Sequence, residues 1–355
     1  MSQPASTPQI RSHSHPPRRY WLALHPDLAQ PIGGVKQMHR LAEALLAAGR
    51  EATLIQQSSA FHPGWFNSSV PAIGLRAWQE RTDLAPQRDV VVLPETFVPE
   101  LERYGPGLPK VVFNQNAAYS FGPDPSKLCL PAQELINLYR HPSVAQVLSV
   151  SQHDEQLLLK GFGLERWRVS RLVNGIETDL FHPSGPKRRQ IAYMPRKNSK
   201  DAAVVEALLR AQPWWKGWDL VPIHQQPQAE VARILQQSLV FLAFGHPEGF
   251  GLPLAEAMAC GCAVVGYSGL GGQELLAIGA KHGVALEVAY GHWLGFVEAV
   301  AAFHRSLQKQ RSAVMAALLA ASKEVRNHYN PALMQHCVTA ALARWEAQLD
   351  APPQA

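Results

Sequence analysis

The chain has 355 residues, 46% of them apolar and 17% charged. That is a globular composition, which excludes a disordered or fibrous protein and leaves room for two domains of roughly 150–200 residues each. Lys and Arg number 33 against 28 Asp and Glu, a net charge of +5, which suits small anionic ligands or an anionic membrane surface and is too diffuse for nucleic acid.

Residues 1–17 are polar and Pro-rich, lack the apolar core of a signal peptide, and are expected to form a disordered tail. Residues 20–24 then read as a strand. Gly33-Gly34 opens a helix whose apolar positions, Val35, Met38, Leu41, Ala42, Leu45 and Leu46, have helical spacing, and Gly49 ends it. Residues 51–57, 89–95, 110–116 and 147–151 read as further strands. They are Val-rich and almost continuously apolar, as in a parallel sheet covered on both faces.

The second half repeats this logic, with strands expected at 190–194, 218–223, 239–244 and 262–267. Helical patterns follow at 200–211, 228–238, 253–260 and 271–278, and longer ones at 291–307, 311–326 and 331–349. The alternation predicts an α/β chain of two doubly wound parallel-sheet, Rossmann-like domains. The boundary falls near Asn174-Gly175, ahead of a Pro-, Gly- and charge-rich stretch at 182–190. The expected domains are 18–175 and 176–330, with 331–355 a C-terminal helix packing back toward the first. Ligands of such sheets bind beyond the carboxyl ends of the strands, so a cleft between the domains is the expected site.

The densest basic run, Lys187-Arg188-Arg189, has no interleaved aromatic residues to stack on bases. No run reaches the ~18 apolar residues of a membrane span. The four cysteines, Cys129, Cys260, Cys262 and Cys337, lack zinc-knuckle spacing and are expected to be reduced and mostly buried. Trp214, Trp215 and Trp218 either pack at a helix–strand corner or face a membrane interface, packing being favoured.

The richest stretch is HPEGFGLPLAEAMACG, His246 to Gly261. Two glycines allow a tight turn and close backbone approach, and Pro253 suits a first helical turn. Free N–H groups at that helix start can receive anionic or hydroxyl oxygens. Glu248 and Glu256 can reach one bound molecule, and carboxylates accept hydrogen bonds from sugar hydroxyls. Acids near a helix start are also what the macrodipole favours, so the residues alone leave both readings open.

Glu248 and Glu256 enclose seven residues, and this segment resembles the Glu-x7-Glu region of the retaining glycosyltransferase family 4, which has the GT-B fold. Residues 31–55 resemble that family's Gly-rich loop and first helix, 173–183 its interdomain segment, and 267–276 its second Gly-rich turn. The resemblance implies transfer of a sugar from a nucleoside-diphosphate sugar to a glycan, lipid-linked or small-molecule acceptor. It implies donor-sugar contact by Glu248 and ribose contact by Glu256. The backbones of Gly249, Phe250, Gly251 and Leu252, with Gly33 and Gly34, would line the donor. Arg196 and either Lys200 or Lys197 would meet the diphosphate, so no metal and no cofactor is expected. Where many members carry a His, residues 110–121 offer Asn114, Gln115 and Asn116. Gln115, Asn116 and Glu95 are therefore the acceptor-side candidates, and His25 and Asp27 are weaker ones. A cytoplasmic location is expected, with peripheral contact at the inner membrane face. The alternatives are a sugar-nucleotide epimerase of the same fold and a non-catalytic sugar-nucleotide-binding subunit.

Overall fold

The computed structural model describes residues 17–124 and 126–350. The tail expected at 1–17 lies, apart from Pro17, outside the described residues.

The first sheet has seven parallel strands: β1 (Arg19–Ala23), β2 (Glu51–Gln56), β3 (Ala72–Gly74), β4 (Asp89–Pro94), β5 (Lys110–Asn114), β6 (Val144–Ser149) and β7 (Val169–Arg171). Their order is β3-β2-β1-β4-β5-β6-β7. The helices of this half are α1 (Gly33–Ala47), α2 (Leu75–Gln79), α3 (Ala132–Tyr139) and α4 (Gln152–Gln156). The second sheet has five parallel strands: β8 (Arg188–Tyr193), β9 (Asp219–Pro222), β10 (Ser238–Ala243), β11 (Ala263–Gly266) and β12 (Ala285–Glu287). Their order is β12-β11-β10-β8-β9. With it go α5 (Ser199–Arg210), α6 (Gln228–Gln237), α7 (Leu252–Ala259), α8 (Gln273–Lys281), α9 (Trp293–Lys309), α10 (Arg311–His328) and α11 (Pro331–Leu349).

The apolar runs are explained by burial on both faces. Tyr20 and Leu22 join one core and Trp21 and Ala23 another, as side chains of a strand must alternate. Phe241 and Ala243 likewise divide from Val240 and Leu242. The first of these cores runs continuously from the α1 side of the first sheet to α6, α7 and α8 under the second. Strands β3, β7 and β12, absent from the sequence expectation, are three-residue edge strands, too short to show a period. Helix α1 buries Val35, Met38, Leu41, Ala42 and Leu45, while Leu46 is exposed. After it, the Gly49 N–H donates to Leu46 O and the Arg50 N–H to Leu45 O, closing the helix end.

Helix α11 packs against α1. Its Trp345 is 1% exposed and donates through Nε1 to the Tyr20 hydroxyl at 2.9 Å, which itself donates to Glu346 at 2.8 Å. Trp218 is buried and donates to His304 at 3.0 Å, with Trp214 and Trp215 packed on the same cluster, so this group is a packing corner. All four cysteines are free thiols. Cys260 and Cys262 are buried, but Cys129 is exposed, because it follows a loop that lies on the surface.

Strand order decides where ligands can go. In the first sheet the chain reverses between β1 and β4, and in the second between β8 and β10. The segments leaving these four strands open the crevices.

Candidate active site

The two crevices meet in one cleft of about 570 Å³, lined by the segments after β1, β4 and β5 from one half and after β8 and β10 from the other. Two helix starts reach it. Helix α1 is preceded by Ile32 and α7 by Gly251, whose φ of 86° is left-handed backbone that favours glycine. Neither start has a side-chain cap or an acidic residue in its first turn. Their free N–H groups and macrodipoles therefore present positive potential to the cleft.

On the C-terminal wall, Glu248 is held by its N–H to Gly269 O at 2.8 Å. Its carboxylate pairs with Lys197 Nζ at 2.9 Å. Lys197 also donates to Pro247 O at 2.9 Å and lies 5.1 Å from the centre of the Tyr119 ring. Asn198 ties down the same loop through bonds to Phe244 O and His246 O. Glu256 is buried, which pushes its carboxyl up, but Lys36 Nζ lies 3.2 Å from its Oε1. Lys36 is 1% exposed and also bonds Glu177 Oε2 at 3.0 Å. Burial raises the Glu177 carboxyl too, yet Lys36 and Arg40 outweigh it and hold this group below the usual range. One lysine of α1 thus ties the interdomain segment and α7 to the first half.

On the N-terminal wall, two buried acids shape the turn after β5. Glu95 accepts from the Gln115 N–H at 2.9 Å, and Asp154 from the Ala117 N–H at 2.9 Å. Burial pushes the Glu95 carboxyl up to about 7. The turn is seated on the opposite wall by Asn116 Nδ2, which donates to Pro247 O at 3.2 Å, and on its own wall by Gln115 Nε2, which donates to Gly34 O at 3.2 Å. Gly249 lies against the backbone of Gln115 and Asn116 so closely that a Cβ there would meet it, which explains the glycine.

Glu248, Glu256, Gly249, Phe250, Gly251, Leu252, Gly33, Gly34, Arg196, Lys197, Gln115, Asn116 and Glu95 all line the cleft. Lys200 does not. It is exposed in the first turn of α5, so of the two lysines left open the fold brings Lys197 to Glu248. Only the backbone of Phe250 is available, because its ring is buried 5.1 Å from that of Tyr329. Asn114 points into the core, donating to Ser120 and Tyr139. Asp27 accepts from the Gln57 and Ser58 N–H groups and braces its loop, while His25 lines the cleft with its Nε2 2.9 Å from the Tyr104 hydroxyl. Lys36 and Glu177 were missed. Nothing marks them in the sequence beyond their places next to the Gly pair and the Asn-Gly segment, because their partners lie 220 and 141 positions from Lys36.

Paired parallel-sheet domains around a shared cleft define the GT-B fold, and solved structures align with nearly the whole chain. Sucrose-phosphate synthase from Thermosynechococcus elongatus does so at 14% identity and TM-score 0.68, over 94% of this chain and 99% of that one. HepE of Anabaena, solved in complex with UDP-glucose, does so at 12% identity and TM-score 0.66, over 92% and 99%. At these identities the likeness is one of fold.

Residues 220–313 match the model of the family described as Glycosyl transferases group 1. The chain is also 33% identical over 94 residues to an alpha-1,6-glucosyltransferase of Actinobacillus pleuropneumoniae serotype 7 (strain AP76). That alignment spans 26% of this chain and 28% of the relative's length.

Proposed function

We propose that the chain is a retaining glycosyltransferase that moves a sugar from a nucleoside-diphosphate sugar to a glycan, lipid-linked or small-molecule acceptor without a metal. The observation that carries this reading is the convergence of two uncapped helix starts, Arg196 and Lys197 on one cleft that also holds Glu248 and Glu256. Positive potential between two carboxylates fits a diphosphate flanked by a sugar and a ribose. Glu248 takes the donor-sugar hydroxyls. Glu256, with Oε1 held by Lys36, takes the ribose through its other oxygen. The match to the group 1 family and the UDP-glucose held by HepE support a nucleotide-sugar donor.

In the reaction, the acceptor oxygen bonds to the anomeric carbon as the bond from that carbon to the diphosphate oxygen breaks. The diphosphate leaves with the electron pair and takes the acceptor proton on the same face, so the anomeric configuration is kept. Arg196, Lys197 and the α1 and α7 starts stabilise the charge that builds on it. Calorimetry against UDP, GDP, ADP and their glucose conjugates, with and without EDTA, tests the donor class. Binding of at least one pair, indifferent to EDTA, is expected. Silence across the panel overturns the reading, and loss of activity in EDTA overturns metal independence. Proton NMR of the product tests retention, since a β-linked product from an α-linked donor refutes it. No helix among the described residues is long and apolar enough to cross a membrane. Action in the cytoplasm, in contact with the inner membrane face, belongs to the same proposal and is tested by cell fractionation.

A further inference from the structure

The N-terminal wall of the cleft carries polar atoms that the chain itself does not satisfy. Gln37, on α1, is 1% exposed, and neither its Oε1 nor its Nε2 has a hydrogen-bond partner. Trp65, in the segment after β2, has a buried Nε1 that is likewise unpartnered. Both residues line the cleft. Buried amide and indole groups are nearly always bonded in folded proteins, and unpaired ones call for an explanation. A second fact concerns charge. Among the described residues, the cation that the N-terminal wall supplies to the cleft is Lys36, already bonded to Glu177 and Glu256. Burial pulls the His25 pKa down, so it adds no charge at neutral pH. Arg196 and Lys197 belong to the opposite wall. Leu28, Phe97 and Tyr119 add apolar and aromatic surface to the same cleft, beside the polar Glu95, Gln115 and Asn116.

Resting on the glycosyl-transfer reading above, we propose that Gln37 and Trp65 form an acceptor subsite for an uncharged sugar ring. The Gln37 amide accepts from one hydroxyl and donates to its neighbour, as a planar amide can toward a diol, and the Trp65 indole N–H donates to a further oxygen. The aromatic side chains offer an apolar face to the ring's C–H groups. Among the described residues a phosphate on this ring finds no free cation on the wall, and with the α1 start taken by the donor diphosphate it would have to shed its water uncompensated. The acceptor is therefore a neutral glycoside or the neutral terminal residue of a glycan. Its hydroxyl oxygen bonds to the donor's anomeric carbon, and its proton leaves with the nucleoside diphosphate, so no further reactant is needed.

The test uses the full chain, whichever sugar nucleotide binds in the calorimetric panel, and nucleoside-diphosphate release as the readout. The probes are methyl glycosides of glucose, galactose, mannose and N-acetylglucosamine, set against the corresponding 6-phosphates. The variants are Gln37→Met, which keeps the shape and removes the amide, and Trp65→Phe, which removes the N–H. A methyl glycoside is expected to raise nucleotide release where its phosphate does not. Each variant is expected to raise that acceptor's KM at least tenfold, with donor Kd moving less than twofold. Gln37→Met should also raise the Tm of the free protein by about 2–4 °C, because it removes an unsatisfied buried group.

Stimulation by a sugar phosphate and by no methyl glycoside overturns the proposal. So does an unchanged acceptor KM in both folded variants, or a lower Tm for Gln37→Met, which would mean that the amide is bonded within the chain. If donor binds and only these results fail, the subsite falls alone. If no sugar nucleotide binds at all, glycosyl transfer falls and the subsite with it.

Discussion

Gly249→Ala tests whether the turn after β5 and the loop before α7 act as one surface. An alanine Cβ at 249 would sit 2.8 Å from Asn116 Cα and closer still to the Gln115 carbonyl, whereas ordinary contact begins near 3.4 Å. The two backbones must therefore part by more than about 0.6 Å. That is enough to stretch the bond from Asn116 Nδ2 to Pro247 O, 3.2 Å long, beyond useful range. The backbone of Gly249 is not left-handed, so alanine brings a steric change without torsional strain. A misplacement of about 1 Å at a reacting centre lowers rates on the order of 100-fold, or roughly 2.7 kcal/mol of barrier. Steady-state kinetics should show that loss in kcat/KM. Calorimetry should show donor affinity changed less than tenfold, because the donor contacts proposed above lie mainly on the C-terminal wall. Small-angle scattering should show a less closed molecule. A variant with wild-type Tm and kcat/KM within threefold of wild type would refute the idea that this contact sets the geometry of transfer.

Three further outcomes are expected. Lys36→Met leaves the buried Glu256 without its cation beside the half-buried Glu177, which keeps Arg40, and urea unfolding should show a loss of about 3–5 kcal/mol. Adding Glu256→Gln should recover part of it, and a loss below about 1 kcal/mol would mean that water reaches the pair. Lys197→Met should lower kcat by about 10²–10³, while Lys200→Met stays within about twofold. Equal losses would return Lys200 to the site. The third concerns pH. Burial raises the Glu95 carboxyl from 4.5 to about 7, so the folded chain keeps a proton that the unfolded chain releases above 4.5. Acid favours folding in that window. Wild type should gain stability over Glu95→Gln as pH falls from about 7 toward 4.5, by at most roughly 3 kcal/mol. Urea melts at pH 5 and 8 read this out, and a difference that does not change with pH would show Glu95 ionised in the fold.

Much of the architecture was legible because it rests on local rules. The Val-rich runs at 89–95 and 110–116 read as buried parallel strands, and β4 and β5 lie there, at the middle of the first sheet with both faces covered. Gly33-Gly34 and Gly251-Leu252-Pro253 read as helix starts, and both are. The edge strands β3, β7 and β12 were not legible, since three residues carry no period. The amides of the turn after β5 were read as one group. The fold separates them, with Asn114 in the core and Gln115 and Asn116 on the cleft, because strand alternation and the turn send them different ways.

The sequence by itself determined the class of fold, the turns that expose free helix starts, and the carboxylate pair Glu248 and Glu256. Each depends on residues close together in the chain. Only the tertiary structure decided that Lys197 rather than Lys200 reaches Glu248. It alone joined Lys36 to Glu177 and Glu256, and it alone pressed the Gln115–Asn116 turn onto Gly249. The physical reason is that charge pairing and close backbone approach depend on distance in space. In a GT-B fold the strand order carries segments more than a hundred residues apart to the two sides of one cleft.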